Sequence, residues 1–212
     1  MASEIKANKI SPATGTAFTL GDSGDTFTVP SGTTLDIASG ATLDTTGATV
    51  SGLTTGKVLQ VVQAVKTDTF SYAGTAFADV TGLSVSITPS ATSSKILIFS
   101  TINGAANFRY SGIRLVRDST DIFIGDAAGS RTRVTIPIDS NSDEPSNSYV
   151  SRNMGFNYLD SPSTTSATTY KIQVAIAYSA SYTTYINTNA DDSDANFTLR
   201  SASNIIAMEI GA

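Results

Sequence analysis

Residues 83–89 read LSVSITP and residues 95–102 read KILIFSTI, and these two stretches decide the fold class. In the first, Leu83, Val85 and Ile87 alternate with Ser84, Ser86 and Thr88. In the second, Ile96, Ile98 and Ile102 stand against Leu97 and Phe99. Successive side chains of an extended chain point to opposite faces, so a period of two marks a strand with one face on a core. The same reading extends in both directions. Residues 108–116 (FRYSGIRLV) set Ile113 and Leu115 opposite Arg114 and Val116, and DIFIG (121–125) and RVTIPI (133–138) follow. MGFNYL (154–159) places Met154, Phe156 and Tyr158 on one face, and YKIQVAIAY (170–178) does the same with Ile172, Val174 and Ile176.

Two segments break the alternation. VLQVVQAV (58–65) is nearly continuous apolar, and NIIAMEIG (204–211) is apolar on both faces with Glu209 inserted. Such runs predict strands covered on both sides, whereas a sandwich strand in a monomer usually keeps one wet face. Lying side by side at the axis of a trimer would cover them. In all, the spacing predicts nine or ten strands in residues 58–212, with short polar turns and no sustained helical period. That pattern belongs to an all-β antiparallel β-sandwich or jelly roll.

Ahead of this domain, VPSGTTLDIASGATLDTTGATVSG (29–52) repeats one unit three times: GTTLD from Gly32, GATLD from Gly40 and GATVS from Gly47. Each unit offers one principal aliphatic side chain, Leu35, Leu43 or Val50, which a single chain cannot bury. Three chains wound about one axis can bury it, so residues 29–57 are expected to form an intertwined trimer stalk. A Ser/Thr/Gly linker and an edge hairpin of the following domain are the competing readings. Residues 1–28 are too few to fold alone and are expected to attach to a larger partner; residues 17–29 read as a short hairpin around a Gly/Asp loop.

The 212 residues contain no Cys, no His and no Trp, and only 15% are charged. The most common general base, the thiol nucleophile and the soft metal ligands are therefore missing, which removes most familiar catalytic schemes. A net charge of −5 argues against a nucleic-acid partner, which would require a basic face. The first residues, MASEIKANKISP, do not read as a secretory signal, and no apolar run suits membrane insertion.

Taken together, ANKISPATGTAFTLGDSGDTFTVPSGTTLD, SGATLDTTGATVSGLTTGKVLQVV, DVTGLSVSITPSATSSKILI and IRLVRDSTDIFIGDAAGSR resemble tail-fibre or fibre-like structural proteins of marine bacteriophages. The resemblance implies a homotrimer located in the virion, joined to a tail or capsid protein by its N-terminal part. It also implies a C-terminal β-rich knob that meets the host surface, a glycan or a protein, during adsorption. It supplies no receptor contacts residue by residue. The strand pattern is also similar to the trimeric jelly rolls of tumour-necrosis-factor-like and complement-type heads, an analogy of fold alone.

The expected function is thus a non-enzymatic fibre protein without cofactor or metal. The alternatives are a capsid or tail decoration protein without receptor contact, and a glycan depolymerase. For receptor binding, Arg131 and Arg133 flank the loop GDAAGS and could fork onto anionic sugar groups. Tyr178, Tyr182 and Tyr185 could stack on sugar rings or pack beneath the loops. The run Asp191, Asp192, Ser193, Asp194 is a candidate for Ca²⁺, though it lacks the Gly and closing Glu of an EF-hand loop. Asp139, Asp143 and Glu144 form the looser carboxylate cluster that a glycosidase would need. Arg114, Arg117 and Asp118 are expected in surface or intersubunit ion pairs. Asn196-Phe-Thr198 matches a glycosylation acceptor that carries no weight in a protein that is not secreted.

Overall fold

A computed structural model describes residue 24 and residues 26–42, 57–107, 110–138 and 151–211. The chain divides into two units, Met1–Gly52 and Leu53–Ala212. In the first, the repeated sequence produces a repeated turn. Thr33 N–H donates to the Pro30 carbonyl at 3.2 Å, and eight residues later Ala41 N–H donates to the Ala38 carbonyl at 3.0 Å. Gly32 and Gly40 occupy equivalent positions at φ +83° and +86°, a left-handed conformation that favours glycine. Leu35 is 58% exposed, and Phe27 and Ile37 are exposed as well. Leu43 and Val50, the other two predicted stalk residues, lie outside the described residues, as do Asp139, Asp143 and Glu144.

The second unit contains eleven strands among its described residues, all paired antiparallel. The first sheet contains β1 (Val58–Lys66), β2 (Phe70–Tyr72), β4 (Lys95–Ala106), β8 (Arg152–Asp160), β10 (Thr184–Ile186) and β11 (Ser203–Ile210). The second contains β3 (Ala78–Ile87), β5 (Ser111–Arg117), β6 (Thr120–Ile122), β7 (Ile136–Ile138) and β9 (Thr168–Ile176). Across the first sheet the order is β1, β11, β4, β8, with β10 and β2 continuing beside the far end of β4. Across the second it is β3, β9, β5, with β6 and β7 sharing the remaining edge of β5.

The two sheets pack face to face through the side chains that period-two alternation selected. Leu83, Val85 and Ile87 of β3, Ile96, Ile98 and Ile102 of β4, and Ile172 and Val174 of β9 form one core with Ile113, Leu115 and Ile205. Two clusters of polar groups that enter this interior are bonded. At one end, Glu209 accepts from Ser90 N–H at 2.7 Å, Ser90 Oγ at 2.6 Å and Gln60 Nε2 at 2.7 Å. Burial alone would raise this carboxyl; the three donors outweigh it and hold it at about 2, against an ordinary 4.5. At the same end the fully buried Tyr170 donates to Asp160 Oδ2 at 2.6 Å, and Arg117 Nη1 reaches both Asp160 oxygens at 2.8 and 2.9 Å.

The outer faces of the two sheets differ in kind. On the second sheet, Lys171 and Gln173 bond Asp79 at 2.8 and 2.5 Å, and Arg114 pairs with Asp121 at 2.6 Å. Arg114 and Arg117 thus form half-buried pairs within one chain. On the first sheet one outward row is entirely apolar. Val61 lies opposite Met208, Met208 opposite Leu97, and Leu97 opposite Leu159, one apolar row across four strands. A parallel row runs from Gln63 through Ile206 and Phe99 to Asn157. The predicted two-sided burial of residues 58–65 is therefore not met within one chain. Val62 and Ala64 pack on the core, while Val61 and Val65 remain 51% and 56% exposed. The first and last strands do lie side by side: β1 pairs with β11 from Val58↔Ile210 to Lys66↔Ser203.

Candidate functional site

The second sheet has a depression beside a row of small outward residues. Cross-strand register sets Gly112 of β5 between Pro137 of β7 and Ala175 of β9. Val134 of the returning loop packs against Gly112, and the cleft opens beside these positions. Around it, Phe77 and Val134 form the walls, and Tyr110, Arg131 and Thr132 stand at the mouth of a cleft of about 230 Å³. Gly112 is required here, because a Cβ at this position would collide with Val134.

Each mouth residue is placed by local backbone. Residues 123–135 return toward β5 through a tight turn in which Arg131 N–H donates to the Ala128 carbonyl at 3.3 Å, with Gly129 at φ +60°. Thr135 holds the returning chain against β5: its N–H donates to the Ile113 carbonyl at 2.8 Å, and its Oγ1 accepts from Leu115 N–H at 3.0 Å. Tyr110 adopts φ +70°, an uncommon conformation for a bulky side chain, and its carbonyl accepts from Ala177 N–H at 2.8 Å. That bond fixes where the ring projects. Strain of this kind collects at functional sites.

Next to the cleft is a chain of aromatic rings, two of them exposed. Tyr110 meets Tyr178 with centroids 5.8 Å apart, and Tyr178 meets Tyr182 at 6.2 Å. Within the cleft wall, the Arg114 guanidinium lies 4.0 Å from the centroid of Phe77, so that cation is already engaged. Arg131 differs: its guanidinium makes no hydrogen bond or ion pair among the described residues. Among the described residues no carboxylate lines the cleft.

The predicted receptor residues thus separate into two groups. Arg131 lines the cleft, and Tyr182 joins it through Tyr178 and Tyr110. Arg133 is committed to its own loop, donating from Nε to the Gly125 carbonyl at 2.6 Å. Tyr185 lies in β10 between Ala105 and Ser71, on the first sheet, and does not line the depression of the second. Tyr110, Gly112, Phe77 and Thr132 were not singled out by sequence; the signal that could have found them is the coincidence of small residues at outward positions of three strands. At the acidic loop, Asp192 is paired with Arg200 at 2.7 Å and accepts from Thr188 at 2.9 Å. Among the described residues no three carboxylate or other ligating side chains gather as a metal site.

The cleft also has a definite place along the strands. Gly211 N–H donates to the Lys57 carbonyl at 2.9 Å, so the start of β1 and the end of β11 meet at one end. Lys95 opposite Ile210 puts the start of β4 there too. β5 begins beyond the far end of β4, and the Ser111↔Ile176 pair marks that opposite end. The cleft therefore opens at the end away from Lys57 and Gly211. The protein defined by this fold and site is an all-β, two-sheet domain with one uncovered apolar face and a polar-mouthed cleft at one pole. Compared with known proteins, the chain matches no family model and no curated protein.

Proposed function

We propose that this chain is a non-enzymatic, homotrimeric virion fibre protein that attaches to the particle through its N-terminal part and presents a jelly-roll knob to a host-surface glycan. The observation that carries this reading is the pair of opposite poles in the knob. The chain enters at Lys57 at one end, and the cleft with its aromatic and cationic mouth opens at the other. A fibre needs this polarity, since attachment and recognition must not compete for one surface.

Trimerisation is supported by two features. The first is the outer face of the first sheet. This face holds an apolar row that crosses four strands, with Val61 and Leu159 exposed at its two ends. Its central row of Val61, Met208, Leu97 and Leu159 carries no charge, whereas the outer face of the second sheet is laced with ion pairs. The second is the repeat of turn and aliphatic residue at residues 30–41, which leaves Leu35 exposed in one chain. The strand order β1, β11, β4, β8 facing β3, β9, β5 and β6 suits a jelly roll. Three linked copies of a weak cleft would act by avidity, without any new contact.

Sedimentation of the full chain tests the assembly. The expected mass is three times 21.9 kDa, and a single-chain particle at micromolar concentration would overturn the fibre reading.

A further inference from the structure

We infer that the cleft above Gly112 is a binding site for an acidic saccharide, a sugar ring bearing a carboxylate, with Arg131 holding the carboxylate and the Tyr110 ring covering the C–H face of the sugar. The identification of a glycan rests on the fibre reading; the site itself rests on its geometry.

Size is the first argument. At about 230 Å³ the cleft falls below the roughly 300–1,000 Å³ typical of pockets for drug-sized ligands, so it suits one ring unit rather than a large cofactor. Shape is the second. The floor of Gly112, Ala175 and Pro137 offers no polar side chain, and Phe77 and Val134 wall it, which favours the flat apolar face of a pyranose over a compact inorganic ion. Aromatic rings beside a hydroxyl-bearing ligand contribute both surface and edge polarity.

Charge is the third. The molecule is acidic overall, yet among the described residues the cleft mouth carries Arg131 and no carboxylate. Among the described residues, the basic groups nearest the cleft are committed: Arg114 to Asp121, Gln173 and Phe77, Lys171 to Asp79, and Arg133 to the Gly125 carbonyl. Arg131, by contrast, makes no side-chain hydrogen bond or ion pair among the described residues. A planar guanidinium left available over an apolar hollow is matched to a carboxylate, which it can take in two parallel hydrogen bonds. The Thr132 hydroxyl beside it can serve a sugar hydroxyl. Tyr110, held at φ +70° by Ala177, is a ring kept in place at a cost in backbone conformation.

The test compares trigalacturonate with galactotriose, which differ in the carboxylate, by ligand-observed and protein-observed NMR on the full chain. Triglutamate serves as the acidic peptide control. Trigalacturonate is expected to bind, to shift resonances of Gly112, Thr132 and Ala177, and to outcompete both other probes. Arg131→Gln should weaken it by about tenfold or more, the scale of a charged hydrogen bond, and abolish the preference over galactotriose. Tyr110→Gly removes the ring while relieving the backbone strain, so it should weaken both sugars while the circular dichroism spectrum of the fold is kept. Equal binding of the acidic and neutral sugars, equal binding of triglutamate, or an Arg131→Gln protein that binds like the parent would each overturn the inference. Sedimentation and cell adsorption on the same preparation separate the two readings. A trimer that adsorbs to cells but ignores trigalacturonate overturns this site alone, and a monomer that binds it overturns only the fibre.

Discussion

Val61 lies directly opposite Met208 in the ladder between the first and last strands, and the row they begin faces away from the core. Neither residue's outward atoms touch the sandwich interior, so substitutions there separate assembly from folding. Val61→Asp places an unpaired charge at the exposed end of the apolar row. The expected outcome is loss of the threefold mass in sedimentation with an unchanged far-ultraviolet circular dichroism spectrum. Val61→Ile keeps the surface apolar and should sediment as the parent does.

Stability should fall in acid through Glu209. Its carboxyl is held at about 2 in the folded protein against an ordinary 4.5. A depressed folded value means that the contribution is complete above about 4.5 and is lost as pH falls from there toward 2. Its size is on the order of 2 kcal/mol after allowance for solvent near the strand ends. Glu209→Gln should remove that part of the slope and lower stability at neutral pH, because Ser90 N–H and Oγ and Gln60 all donate to this position. Urea midpoints measured from pH 7 to pH 2.5 check both statements.

Asp160 is bound twice over, by Tyr170 and by both contacts from Arg117. Tyr170→Phe removes one hydrogen bond from a fully buried site and should cost about 1–2 kcal/mol. Asp160→Asn keeps the shape but leaves Arg117 without its counter-charge and should cost more, roughly 2–3 kcal/mol, moderated by the partial exposure of Arg117. Chemical denaturation of the two variants gives the order; a larger loss for Tyr170→Phe would contradict it.

Asn187 is buried at φ +63° and ties three segments together. Its Nδ2 donates to the Lys66 and Asp68 carbonyls at 2.8 and 3.0 Å, and its Oδ1 accepts from Ser203 Oγ at 2.6 Å. Asparagine tolerates this backbone conformation better than most residues. Asn187→Ala strands two carbonyls and a hydroxyl in the interior and should cost about 2–4 kcal/mol. Hydrogen exchange should report the loss first where β1 ends.

The core was readable in the sequence because its signal is local. Leu83, Val85 and Ile87 announce their face by alternation alone, and all three are buried. β2 and β10, three residues each, are too short to show a period, and neither was anticipated. Within DIFIG the strand stops at Ile122 because Phe123 turns to φ +52°, which no composition rule foretells. Leu59, Val61 and Val65 are exposed within one chain, and the two-sided apolar pattern of their strand shows hydrophobicity without showing what lies against it. The cleft was the least legible part. Arg131 was accessible as a basic residue beside a Gly/Ala loop, but the alignment of Pro137, Gly112 and Ala175 depends on register between strands distant in sequence. Tyr185 was grouped with Tyr182 by proximity in sequence, yet β10 carries it to the other sheet.

The hydrogen bond from Gly211 to Lys57 closes the domain like a clasp, with both ends of the knob's polypeptide leaving on the same side. Reporters or affinity handles fused behind Gly211 would emerge beside the incoming chain and leave the distal pole unobstructed. A fluorescent label introduced there should thus report on docking without shading the cleft, whereas the same label inserted between Gly125 and Arg131 would blind it.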